Sequence, residues 1–156
     1  MAWSNSKVFA YAVLEVGTNA HKLSTDAVKC ALFKTTVAPT NKYAAATKTK
    51  TRYAGTTSTW STANESSGTG YTAGGKALAS VTWGQVTNVL HYKAATITWT
   101  TVTVTAYGDL VYDTTSTITI KKTYGLCYNY FGGQFTSTAG TFTVTWSATG
   151  IFKVTC

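Results

Sequence analysis

The octet Gly68-Thr69-Gly70-Tyr71-Thr72-Ala73-Gly74-Gly75, followed by Lys76, is where this sequence comes nearest to a chemical motif. Gly70, Gly75 and Lys76 satisfy GxxxxGK, the spacing with which a glycine-rich loop aims backbone amides and a lysine at phosphate. The next position should be Ser or Thr to hold magnesium, and Ala77 stands there. The chemistry also needs a buried strand before the loop and a helix after it. Polar Asn64 to Ser67 precede it instead, and a strand-like run follows. A GxGxxG reading fails at Ala73. A tight, irregular turn held by Gly68, Gly70, Gly74 and Gly75 explains the octet better.

Other reactive residues are few. His21 falls in a polar turn and His91 beside Tyr92 on a predicted strand, and there is no GxSxG elbow. Asp109 and Asp113 form the one close acidic couple, which glycoside hydrolysis would require. Turn chemistry beside Gly108 accounts for Asp109 equally well. Cys30, Cys127 and Cys156 are odd in number and far apart, without a CxxC pair, which argues against a disulfide framework or structural zinc. Two histidines, five acids and no HxxxH argue against any metal site. Asn64-Glu65-Ser66 matches a glycosylation sequon, which has meaning only on a secreted chain. The expectation is a protein with no catalytic residues, no cofactor and no metal.

The elements around these residues read as β structure. Aromatic residues make up 13% and charged residues 12% of the 156, against a usual charged share of about 25%. Thr is abundant and Pro39 is the only proline, a bias that favours strands and opposes disorder. The net charge of +8 permits an acidic partner of several kinds. No recognisable nucleic-acid module or compact basic stripe accompanies it, which argues against direct nucleic-acid binding. The N-terminus shows no signal-peptide pattern, and no run is long and apolar enough for a membrane span.

In chain order, Lys7 to Val16 predicts a short helix with Val8, Phe9, Ala12, Val13 and Val16 on its apolar stripe. Ser4 or Ser6 would cap it and Gly17 end it. Asp26 to Lys34 predicts a strand. Residues 35–67 are rich in Thr, Lys and Ala and read as a long loop or arm, with Tyr43, Tyr53 and Trp60 pinning it to the body. Strands are then expected at Lys76–Trp83, Val86–Tyr92, Ala95–Tyr107, Asp109–Tyr112, Thr117–Thr123, Gly125–Phe131, Gly140–Trp146 and Ile151–Val154. Gly108, Gly132-Gly133, Gly140 and Gly150 are taken as turn residues between them. The fold class that follows is all-β, an antiparallel β-sandwich or jelly roll in one domain spanning residues 1–156, with a short N-terminal helix.

Four segments resemble a family of small structural proteins of tailed-bacteriophage virions. Leu23 to Leu32 (LSTDAVKCAL) is similar to that family's "LDTDTIKVAL" opening. Asn64-Glu65 and Gly68 to Leu78 (GTGYTAGGKAL) resemble its most specific segment. Thr98-Trp99 with Ala106-Tyr107 to Asp113 resembles its "VTW … ARYAVIYD" run, though without the arginine. Gly140 to Trp146 and Gly150-Ile151-Phe152 resemble its close. The likeness covers about residues 20–155 in order, and the Lys-rich stretch at 40–63 is longer here.

The resemblance implies a non-enzymatic virion protein on the capsid exterior, assembled in the host cytoplasm. A capsid cement or decoration protein is the favoured form, binding the major capsid protein and itself as a dimer or trimer. A tail, collar or spike component would share the composition. A carbohydrate-binding module would instead expose Trp60, Trp83, Trp99, Tyr107 or Trp146. From charge and position, the expected capsid contacts are Lys48, Lys50, Arg52 and Tyr53, together with the N-terminal residues.

Overall fold

Two strands much longer than the glycine pattern predicts make the centre of the protein. The computed structural model describes residues 5–17, 22–34, 51–54, 58–115 and 123–155. In chain order the elements are β1 (Lys7–Val8), α1 (Ala10–Gly17), β2 (Val28–Phe33), β3 (Lys76–Ala77), β4 (Thr82–Val86), β5 (Val89–Lys93), β6 (Ile97–Asp113), β7 (Gly125–Val144) and β8 (Phe152–Thr155). A five-stranded antiparallel sheet has the order β1-β7-β6-β2-β3, and a three-stranded one the order β4-β5-β8. The protein is an all-β sandwich, with one short helix among the described residues.

The long β6–β7 pair corrects the glycine reading. Gly108 does not turn the chain: it lies inside β6 between Phe33 of β2 and Tyr130 of β7. Having no side chain, it leaves that face to the two flanking rings. Gly132 and Gly133 lie inside β7, where the two steps from Ala106 to Gly108 face the five from Tyr130 to Phe135. That is a bulge, and Gly132 adopts φ +87° within it. A second bulge at Thr138-Ala139 precedes Gly140, so Gly140 is also a strand residue. Of the four glycine positions expected to be turns, only Gly150 lies in one, closed by its amide on the Ser147 carbonyl.

Two other strand boundaries move. The run Lys76–Trp83 breaks after Ala77, because the chain leaves the large sheet there. β3 meets β2 only at Lys29 and Cys30, and Ser80 then takes a positive φ of 52°. Val86–Tyr92 is two strands, not one. Thr87 and Asn88 have φ of 44° and 57°, the two-residue hairpin turn whose twist suits antiparallel strands. The expected strand at Thr117–Thr123 lies outside the described residues except at Thr123.

The core forms on both faces of β2 and the neighbouring parts of β6 and β7. Every residue of β2 except Lys29 is buried. On one side Trp60 packs edge-on to Phe33 at 5.0 Å and against Phe9 and Tyr128 at 6.3 and 5.5 Å. Trp60 thus pins the segment that precedes the glycines, as its composition led us to expect, and Tyr53 joins it; Tyr43 lies outside the described residues. In the small sheet Tyr92, fully buried, packs against Phe152 and Trp83.

Candidate interaction site

The glycine octet is part of a clasp along one edge of the large sheet. The Lys34 amide bonds to the Asn64 carbonyl at 3.1 Å, the Ser66 amide to Leu32 at 2.8 Å, and the Thr103 amide to Thr69 at 2.8 Å. Residues 64–69 therefore satisfy backbone groups of β2 and β6 that would otherwise form an open edge, and β3 continues the cover at Lys29 and Cys30. The glycines permit this close approach. A side chain on Gly68 would run into the Thr103 carbonyl, and one on Gly75 into the Cys30 carbonyl. After Lys76 the chain enters a strand rather than a helix, and the Lys76 amine donates to the Thr98 carbonyl at 2.7 Å.

Glu65, 2% exposed, organises the clasp. Its two carboxylate oxygens accept the hydroxyls of Tyr53 and Tyr71 at 2.6 and 2.7 Å, and the Gly74 amide at 2.8 Å. The Tyr112 hydroxyl donates to the Gly74 carbonyl at 2.7 Å, and the Tyr53 ring stacks on Tyr112 at 4.5 Å. Burial first, and then Glu65, push the Tyr53 and Tyr71 phenols far above their ordinary pKa. In the sequence Glu65 stands out only within the Asn64-Glu65-Ser66 sequon and the Asn64-Glu65 resemblance, neither of which points to a buried carboxylate that organises tyrosines.

Of the residues expected to touch a shell, Arg52 and Tyr53 are half-buried beside this clasp. Arg52 forms a β-bridge to Tyr124, with its guanidinium 5.8 Å from that ring. Lys48 and Lys50 lie outside the described residues. His91 donates from Nδ1 to the Thr149 carbonyl at 2.8 Å, and His21 lies outside the described residues.

Asp109 and Asp113 are both buried in β6. Asp113 accepts the Thr115 amide at 2.6 Å and caps the end of the strand. Asp109 Oδ1 accepts from Asn129 Nδ2 at 2.8 Å, and Oδ2 makes no well-formed hydrogen bond among the described residues, with the Cys30 thiol nearby. Burial raises the Asp109 pKa to about 7, partly opposed by Asn129 and the nearby Cys30 thiol. Cys30 and Cys127 are both buried and reduced, and burial, then Asp109, pushes their thiols up. Both lie opposite Val111, one on each side of β6, so two strand spacings of roughly 4.8 Å separate them. That is too far for a disulfide.

Two surfaces are built unlike the rest. The outward face of α1 is apolar, with Tyr11, Val13 and Leu14 at 36, 40 and 60% exposure. The helix's one charged residue, Glu15, is turned inward at 7%. The predicted stripe is therefore corrected: Phe9 and Ala12 face the body, Val16 is half-buried, and Val13 faces out. Val8 belongs to β1 and Ser6 accepts the Tyr130 amide, so neither belongs to the helix or its cap. With apolar side chains on every side and Glu15 as its one charge, an eight-residue helix gives no reliable periodic signal of which face is buried.

The second surface is the outer side of β7. A cleft of about 630 Å³ adjoins it, lined by Phe131, Phe135 and the consecutive residues Thr141–Ser147, with Asp109, Asn129, Ser6, Gly150 and Ile151 also on its wall. Consecutive lining residues belong to both faces of a strand, so the cleft follows its edge. From Thr123 to Phe152 the sequence holds no charged residue.

No family model matches the chain, and neither the curated proteins nor the solved structures contain a match. Among the described residues no helix is long and apolar enough to cross a membrane.

Proposed function

We propose that this is a structural protein of a bacteriophage virion, a capsid cement or decoration protein that binds the major capsid protein on the outer shell. The single observation that carries the reading is the inverted helix α1, with Tyr11, Val13 and Leu14 toward solvent and Glu15 inside. An apolar face held outward costs nothing once a partner covers it, and burying one such side chain contributes about 1.5–3 kcal/mol. Many copies on a symmetric shell add such contacts by multivalency. The net charge of +8 favours docking on an acidic outer face.

The test mixes purified protein with expanded capsids that lack it, counts bound copies and locates them by cryo-electron microscopy. Saturation at symmetric seams supports the cement role. Density at one vertex reassigns the protein to the tail or collar, and absence of binding removes the virion reading. Leu14→Asp, at a 60% exposed position, should leave the fold intact and weaken shell binding by about tenfold or more. Unchanged occupancy by this variant would take α1 out of the interface.

A further inference from the structure

The two long edges of the large sheet are treated in opposite ways. The β2–β6 side is closed by residues 64–69 and by β3. On the β7 side, β1 pairs only with Cys127 and Tyr128, and Ser6 Oγ takes the Tyr130 amide. Among the described residues no strand pairs with the outer side of β7 from Phe131 to Val144. Bulges on β7 interrupt the edge at Phe131–Gln134 and Thr138-Ala139; opposite Gly140–Val144 the one irregularity, between Trp99 and Val102, has its extra residue on β6, so β7 carries none of its own there. The edges of the small sheet, β4 and β8, are five and four residues long. Uncovered edges usually carry lysine, proline or an inward charge against pairing. Gly140–Val144 carries none of these and borders a cleft shaped along the strand.

We infer that Gly140–Val144 pairs antiparallel with the same segment of a second copy, about a two-fold axis at Phe142. In that register Thr141 faces Thr143 of the other copy, and Phe142 faces its own equivalent. The strand already uses this pairing on its inner side. Thr143 meets Thr98 at 3.4 Å, Thr136 meets Thr105 at 3.0 Å, and Phe142 meets Trp99 edge-on at 6.2 Å. Such cross-strand pairs are favourable and self-complementary under a two-fold axis. Charge selects the occupant. Two molecules of net charge +8 repel, and the uncharged stretch from Thr123 to Phe152 is where they can meet without opposing like charges or desolvating any.

The inference concerns the isolated protein and is read without capsids, so it stands or falls apart from the shell proposal. Sedimentation equilibrium over a rising concentration series should give a monomer–dimer equilibrium. The double variant Thr141→Lys/Thr143→Lys sets lysines opposite lysines and should raise the dissociation constant at least about tenfold. Thr141→Lys/Thr143→Glu changes the same exposed positions but sets each lysine opposite a glutamate, and should restore the dimer with a new sensitivity to salt. Hydrogen exchange on the unaltered protein gives a readout independent of variant folding, since amides within Thr141–Val144 should gain protection as dimer forms. A persistent monomer, a trimer, equal dimerisation of the two variants, or protection gained only elsewhere would each overturn the inference.

Discussion

Asp109 is the residue whose chemistry departs furthest from its sequence context. Beside Gly108 it reads as a turn carboxylate, and it is a fully buried one with a pKa raised to about 7. In the unfolded chain the same group titrates near 4. Between these values the folded protein holds a proton that the unfolded chain has released, so stability falls as pH rises from about 4 through 7. Three pH units correspond to about 4 kcal/mol, all of it lost above that window. Asp109→Asn keeps an oxygen for Asn129 and removes the titration. Urea denaturation at pH 5 and pH 8 should show the variant gaining on the unaltered protein at pH 8, with a flatter pH dependence. An unchanged difference between the two pH values would mean that Asp109 is already ionised in the fold.

At the scale of elements, the clasp makes the sharpest prediction. Gly75 combines a φ of +68° with backbone contact to Cys30, so Gly75→Ala strains the chain and forces it off β2. The expected loss is about 2 kcal/mol or more, measured by thermal or urea denaturation. Gly84→Ala is the control: nothing lies within 4 Å of its added carbon and its φ is ordinary, so its effect should stay within about 0.5 kcal/mol.

Glycines also show how much of the fold was legible. β2 and the all-β class followed from alternation and β-branched content, and Trp60 was recognisable as an anchor. The glycines of β6 and β7 misled, because a turn, a bulge and a gap between two rings all select the same residue. Which partner strand faces Gly108 or Gly132 is a long-range fact that no local window holds. The exposed face of α1 was hidden for a related reason: a helix apolar on every side is oriented by what packs on it, and here that is β7. The role of Glu65 was not legible, since its two tyrosine partners, Tyr53 and Tyr71, come from separate stretches of chain.

For the whole molecule, charge and shape divide the labour. The +8 charge lies outside the stretch Thr123–Phe152, so the proposed attraction to an acidic shell and the proposed pairing at β7 would use different parts of the sequence. Neutralising Lys48, Lys50 and Arg52 together should therefore weaken shell binding most at low salt and leave the monomer–dimer equilibrium nearly unchanged. Binding titrations at two ionic strengths, with sedimentation on the same variant, separate the two effects. Shell binding equally tight at both strengths would remove these basic residues from the docking surface.

The pairing of β2 with β6 has a further consequence, in time rather than space. Cys30 meets Val111 across 81 intervening steps of chain (111 − 30), and β6 is flanked on its other side by a strand running on to Val144. Contacts this distant in sequence close slowly, because loop entropy is spent before any packing is gained. During synthesis, β2 and the clasp leave the ribosome before β6, to which both bond. For that interval the apolar row Val28, Cys30 and Leu32 lacks its β6 partner. Pairing of β2 with β6 therefore waits until Val111 and its neighbours have been synthesised.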